Sequence, residues 1–300
     1  MPLPRSLSRR ALLSAATATT LAAVLSPTAT AAPRRTTEIR HIPLQGAVNV
    51  RDLGGHLTYS GDRVRHGLVY RADHLGKLTE SDVATLTGLR LGTVVDFRIP
   101  LEVRYDGADR LPAGLAPVSR PVTDNGLFGQ LLAAIGSRDP VRQEEMLGGG
   151  RAAAFMREVY RSFVTSAENR AAFAATFQDL ARPEATPLLY HCTSGKDRTG
   201  WTSYLLLKAL GVPEHQAVGD YLASNTFRAA HDAKVREALK QGGLMQNPNL
   251  IIPLQEVRTE YLDSALTEVR SGYGGLYGYL TKGLGLTPHD LLRLHDTLVT

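Results

Sequence analysis

Apolar positions change their period along the chain, and each change marks an element. Leu188-Leu189-Tyr190 is an unbroken apolar run introduced by Thr186-Pro187, and it predicts a short buried strand. Gly67–Ala72 and Gly92–Arg98 read the same way, the second with Thr93-Val94-Val95 at its centre. Val83, Leu86 and Leu89 take up helical spacing after Leu78-Thr79, with Thr79 as N-cap and Asp82 three positions on. Leu127–Ile135, Ala152–Thr165 and Ala167–Ala181 are helical in period, with Gly148-Gly149-Gly150 as a break. After Gly200 the chain turns almost wholly helical. Segments run over 199–210, 213–222, 225–239, 257–269 and 288–298, and Gly211 is the C-cap of the first.

Strands in the first two thirds and helices throughout predict an α/β domain over residues 36–300. No repeat or low-complexity block interrupts it. The Gly-rich break at 148–150 suggests a hinge, with the helical hairpin before it acting as a lid. The aromatic stripes on the helices, such as Phe155, Tyr160 and Phe163, read as core.

The first 31 residues follow a different rule. Ser8-Arg9-Arg10-Ala11-Leu12-Leu13 is a twin-arginine pattern, followed by a mild apolar stretch and by Ala29-Thr30-Ala31. This reads as an export signal, and the mature chain is expected to start near Ala32 outside the cytoplasmic membrane. The stretch is too short for a stable membrane anchor. The formal charge of +5 falls to about +2 once Arg5, Arg9 and Arg10 are removed, which leaves no footprint for nucleic acid. The single cysteine excludes an internal disulfide.

That cysteine opens the most informative stretch. The strand at 188–191 runs into Cys192-Thr193-Ser194-Gly195-Lys196-Asp197-Arg198 and then into a helix beginning at Thr199-Gly200. A strand, tight loop and helix of this kind aim successive backbone N–H groups into one concavity suited to a phosphate dianion. Cys192 is the candidate nucleophile, and Arg198 is placed to grip two phosphate oxygens. The peptide groups and side chains of Thr193, Ser194, Gly195 and Lys196 are the candidate substrate cradle. Thr199 reads either as a partner for the thiolate or as a helix N-cap. Asp96 and Arg98 end a predicted strand, where open α/β sheets place ligands; the alternative is a strand-end ion pair. Arg51-Asp52 beside Gly54-Gly55 reads equally as a loop pin or a site pair. The nine histidines show no metal-ligand spacing, and neither metal nor other cofactor is expected.

His191-Cys192-x-x-Gly195-Lys196-Asp197-Arg198-Thr199-Gly200 resembles the signature of bacterial tyrosine phosphatase-like enzymes of the dual- or triple-specificity group. Asn49-x-Arg51-Asp52-Leu53-Gly54-Gly55, Tyr70-Arg71-Ala72 and Val95-Asp96-Phe97-Arg98, with Glu102 shortly after, resemble the group's earlier landmarks. The resemblance implies a three-layer cysteine-phosphatase fold: a mostly parallel sheet flanked by helices, with a helical lid. It implies hydrolysis of phosphotyrosine, with phosphoserine, phosphothreonine and phosphoinositides as further substrates, through a phosphocysteine. The group's lysine and aspartate at the positions of Lys196 and Asp197 go with phosphoinositide activity. No Trp-Pro-Asp tripeptide supplies a proton donor, which leaves Asp96 and Asp197 as candidates, and the resemblance favours Asp96. Other readings are an exported inositol polyphosphate phosphatase, a non-catalytic phosphate-binding module, or a sulfurtransferase or arsenate reductase. Arsenate reduction generally needs more cysteines than one.

Overall fold

A computed structural model describes residues 38–300; the export signal expected at 1–31 lies outside the described residues. Five strands form one sheet in the order β1-β2-β5-β3-β4: β1 (Arg51–Asp52), β2 (Val69–Ala72), β3 (Thr93–Asp96), β4 (Pro117–Ser119) and β5 (Leu188–His191). β1 runs antiparallel to β2, and every other pairing is parallel. The register places Ala72, His191 and Asp96 side by side at the carboxyl ends of β2, β5 and β3. The three following loops therefore emerge at one edge, where this architecture puts its ligands.

Strand alternation divides the core in two. Tyr70, Ala72, Val94 and Leu189 pack with Leu75, Leu78 and Leu86 beneath α1 (Glu80–Gly88). Val69, Val95, Leu188 and Tyr190 face the larger helical layer. That layer holds α5 (Arg151–Thr165), α6 (Ala167–Leu180), α7 (Arg198–Ala209) and α10 (Thr259–Tyr273), with α5 lying along α10. α2 (Pro100–Asp106) follows β3, and a hairpin of α3 (Leu127–Ser137) and α4 (Pro140–Leu147) precedes α5. The remainder is the long α8 (Glu214–Gln241), the single turns α9 (Ile252–Gln255) and α11 (Leu276–Gly278), and α12 (Pro288–Leu298).

The expected α1 cap is present as a reciprocal box: Thr79 Oγ1 accepts from Asp82 N–H at 3.2 Å, and Asp82 accepts from Thr79 N–H at 2.9 Å. Two expectations need correction. The helices predicted at 213–222 and 225–239 are one helix, α8, because Asn225 does not cap a new start. Its side chain instead holds the backbone of Val257 through both its N–H and its C=O, each at 2.8 Å. α4 was not predicted, although Asp139 caps it by accepting from Val141 N–H at 2.9 Å and Pro140 opens it.

Candidate active site

The loop from Cys192 to Arg198 is held from outside by its carbonyl groups. The Cys192 carbonyl lies 3.4 Å from His191 Nδ1, and Thr193 C=O accepts from His74 N–H at 3.1 Å. Ser194 C=O accepts from Asn49 Nδ2 at 3.1 Å and from Arg228 at 3.2 Å. Gly195 C=O accepts from Asn49 Nδ2 at 3.0 Å and from Arg71 Nη2 at 2.8 Å. In a planar trans peptide the N–H points opposite to the C=O. Fixing these four carbonyls outward turns the N–H groups of Thr193, Ser194, Gly195 and Lys196 inward. Among the described residues, none of the four donates to a protein acceptor. Gly195 sits at φ 63°, and a Cβ there would lie 2.4 Å from Ala72 O, so this tight pass beside β2 needs glycine.

The outer supports are themselves braced. Asp220 accepts from Arg51 Nε at 2.8 Å and from Arg71 Nη1 at 2.5 Å, all three buried. Burial favours the neutral acid, but the two guanidinium charges outweigh it and hold the Asp220 carboxyl well below the carboxylate range. Arg51 is thus a scaffold residue, and Asp52 pins its turn by accepting from Gly54 and Gly67 N–H at 2.8 Å each.

Cys192 is 1 % exposed and lines a cavity of about 120 Å³ with Arg198, Glu102, Asp124 and Asp197. Arg198 Nη1 donates to Glu102 Oε2 at 2.7 Å and to Phe97 O at 3.1 Å, and Nη2 donates to Glu102 Oε1. The Nε–H and one Nη2–H of Arg198 have no acceptor among the described residues. Burial disfavours the guanidinium charge, yet Glu102, then Cys192 and Asp124, hold its pKa well above the arginine value. Glu102 also accepts from Thr193 Oγ1 at 2.7 Å and from Ile99 N–H at 2.8 Å. These bonds and Arg198 outweigh burial and keep its carboxyl below the ordinary range.

The other predicted residues divide. Thr193, Ser194 and Asp197 line the cavity with Cys192 and Arg198. Asp96 and Arg98 do not: Arg98 Nε and Nη2 both donate to Asp96, and Nη2 also donates to Asp109 at 2.8 Å. This is the strand-end ion pair, extended by Asp109, whose second oxygen lies 3.0 Å from His191 Nε2. Asp96, Asp109 and His191 bring potential metal ligands within 4.8 Å of one another, but the Arg98 guanidinium already supplies the positive charge there. Lys196 is buried, donating to both oxygens of Asp197 and to Glu256 C=O at 3.2 Å, and it is not among the residues that line the cavity. The hydroxyl of Thr199 caps nothing and has no partner among the described residues. Asp197 receives a further bond from Tyr160 OH at 3.0 Å, and Tyr160 meets Tyr221 OH at 2.8 Å. Burial, then Asp197, pushes both phenols well above the tyrosine value, so they stay neutral.

The opposite wall is apolar. Leu127, Phe128 and Leu131 of α3, Met156, Val159 and Phe163 of α5, and Leu254 of α9 close the cavity. Sequence reading missed Asp124, and it missed Glu102 as the Arg198 partner. It also missed Asn49, Arg71 and Arg228 as loop supports.

A buried cysteine under inward-facing amides, an arginine with two free donors, and a mostly parallel sheet with helical layers define a cysteine-phosphatase-like α/β protein. Comparison with known proteins gives the family. A model described as the tyrosine phosphatase family matches residues 42–300. A Cupriavidus necator protein, provisionally named a tyrosine-protein phosphatase, is 35% identical over 237 residues, 79% of this chain and 81% of its own. The triple specificity protein phosphatase PtpB of Mycobacterium tuberculosis is 28% identical over 282 residues, covering 87% of this chain and 99% of its own. A tyrosine-protein phosphatase of Nostoc commune is 26% identical over 228 residues, 75% of this chain and 71% of its own. The chain belongs to the tyrosine phosphatase family. It is a phosphoric monoester hydrolase acting on phosphorylated substrates. No helix among the described residues is long and apolar enough to cross a membrane.

Proposed function

We propose that this is an exported cysteine-dependent phosphatase whose first substrates are phosphotyrosine esters. Phosphoserine, phosphothreonine and phosphoinositides are further substrates. The observation that carries the reading is the placement of Cys192 on the same cavity as the two unpaired donors of Arg198. Cys192 sulfur attacks phosphorus as the ester P–O bond breaks, leaving a phosphocysteine that water then hydrolyses. The amides of residues 193–196 and the free donors of Arg198 bind the phosphoryl oxygens where charge gathers. The apolar wall on α3, α5 and α9 suits an aryl or acyl group better than an inositol polyphosphate, whose hydroxyls and phosphates would lose water against it.

Turnover of p-nitrophenyl phosphate, abolished in Cys192→Ser, tests the chemistry; capture of a phosphocysteine after rapid acid quench tests the intermediate. A panel of phosphotyrosine, phosphoserine, phosphoinositide and inositol hexakisphosphate ranks the substrates. Unimpaired turnover by Cys192→Ser would sink the proposal. For export, the amino terminus of protein recovered outside the cell should lie near Ala32; an intact Met1 in that fraction counts against it.

A further inference from the structure

We infer that Tyr105, on α2 just outside the cavity, makes the enzyme selective among phosphotyrosine peptides by holding an apolar side chain that flanks the phosphotyrosine. The inference rests on the phosphatase reading above. Tyr105 is 65 % exposed, and two neighbours tie it to the cavity. Glu102, three residues earlier and so on the same side of α2, lines the cavity. Phe128 lines it too, and its ring meets the Tyr105 ring edge-on at 5.4 Å. Phe128 is itself partly exposed, so its ring stands where the cavity meets solvent. Leu101, also partly exposed, packs beside Gly129 of α3, where an added Cβ would lie 3.9 Å from its Cδ2. An apolar strip thus runs from the cavity wall to an exposed ring. Of the exposed tyrosines among the described residues, Tyr59, Tyr105 and Tyr277, only Tyr105 meets a ring that lines the cavity. Tyr59 lies instead beneath the Lys208 ammonium, at 5.8 Å.

A phosphotyrosine side chain with its phosphate on the loop and its aryl face on Phe128 brings its own backbone to this rim. The neighbouring residues of the peptide then pass over Tyr105. An apolar or aromatic neighbour removes area from water against the ring, and a glycine has none to offer. A lipid surface fits the rim less well. Residues 100–110 set Glu102, Asp106 and Asp109 against Arg104 and Arg110, so no basic surplus draws an anionic bilayer.

The test is a set of short phosphotyrosine peptides that differ only in the residues on either side of the phosphotyrosine: leucine, phenylalanine or glycine. Wild type should hydrolyse the leucine and phenylalanine peptides with kcat/KM about five- to tenfold above the glycine peptide, the yield of a partly covered apolar side chain, with the difference in KM. In Tyr105→Ala that ratio should fall to within about twofold of one, while Tyr105→Phe, which keeps the ring, should retain it. The ratio separates docking from support of Phe128, because every peptide presents the same aryl group to the cavity. A ratio unchanged in Tyr105→Ala, or lost in Tyr105→Phe, would overturn the assignment. So would a Tyr105→Ala variant that keeps the peptide ratio but loses turnover of a phosphoinositide in anionic vesicles, which would put a lipid surface on the ring. A wild type that hydrolyses free phosphotyrosine but ignores the flanking residue would sink this inference alone. A wild type inert toward free phosphotyrosine and all the peptides would bring down the phosphatase reading itself, and this inference with it.

Discussion

Glu102 and Arg198 meet as a buried two-point pair, with Arg198 Nη1 donating to Glu102 Oε2 at 2.7 Å and Nη2 donating to Oε1. The pair uses both Nη groups of the guanidinium and leaves Nε without an acceptor among the described residues, on the cavity that Cys192 also lines. A second bond from Thr193 Oγ1 ties the same carboxylate to the loop. One acid thereby sets the direction of the arginine and the start of the loop together.

Breaking the pair should therefore harm both fold and rate. Glu102→Ala leaves a buried guanidinium without its partner, and such losses run to about 3–5 kcal/mol. We expect a thermal midpoint lower by several degrees, and kcat on p-nitrophenyl phosphate down by more than about tenfold, since a displaced oxyanion donor costs at least that. A midpoint and a rate both within error of wild type would contradict the pairing.

Acid should remove the same contribution. The Glu102 carboxyl titrates below its ordinary value when folded, so its pairing stabilises the protein above the unfolded glutamate value of about 4.3 and is lost as pH falls through the folded one. Asp109 behaves alike: His191 and Arg98 outweigh its burial and hold it low. Melting curves from pH 7 to pH 3 should show the gap between wild type and Glu102→Gln narrowing toward the acid end. A gap constant with pH would mean that the carboxylate charge contributes nothing.

Asn49 should act on phosphate without touching it. Its amide donates to the carbonyls of Ser194 and Gly195, at 3.1 and 3.0 Å, and so keeps the next two N–H groups facing inward. Asn49→Ala removes these two hydrogen bonds, worth roughly 0.5–1.5 kcal/mol each, and also the one its Oδ1 accepts from Arg51 Nη1 at 2.5 Å. Inhibition by inorganic phosphate should weaken by about 5- to 150-fold, the range that about 1–3 kcal/mol from the two loop bonds corresponds to. Unchanged inhibition would show that Arg71 and Arg228 suffice.

Much of this was legible because it is local. β5, the loop and α7 follow one another in the chain, so a run of apolar residues, a glycine and a helix start announce them together. The supports were not legible. Asn49 lies 145 residues from Ser194, and Glu102 lies 96 from Arg198; no local period marks either contact. Asp96 looked like a site residue because it ends a central strand beside His191. Only the third dimension reveals that Arg98, two residues on, covers it. Asp124 follows the exposed edge strand β4, where nothing in the pattern distinguishes a cavity carboxylate from a turn.

Lys196 is the clearest case in which the fold changes an expectation. A loop lysine beside a phosphate site invites a second phosphate, but this amine is 1 % exposed and spent on Asp197 and Glu256. Lys196→Met should therefore lower turnover of p-nitrophenyl phosphate and of a phosphoinositide in equal proportion, through a loosened loop. A loss confined to the phosphoinositide would put the amine on the substrate after all.

The apolar wall makes the last prediction. Phe128 presents its ring to the cavity from α3, with the Tyr105 ring standing edge-on at 5.4 Å. A substrate aryl group seated over Cys192 would cover that ring, and burying a large apolar side chain is worth about 1.5–3 kcal/mol when complete. Partial cover of about 1–2 kcal/mol corresponds to roughly a 5- to 30-fold change in affinity. Phe128→Ala should raise KM for phosphotyrosine by that factor and leave KM for glycerol phosphate, which has no aryl face, near its wild-type value. Phe128 keeps its backbone bond to Asp124 in the variant, so this cavity carboxylate stays in place and kcat on phosphotyrosine should change far less than KM. Equal shifts in KM for both esters would show that the ring shapes the cavity without holding the substrate's aryl group.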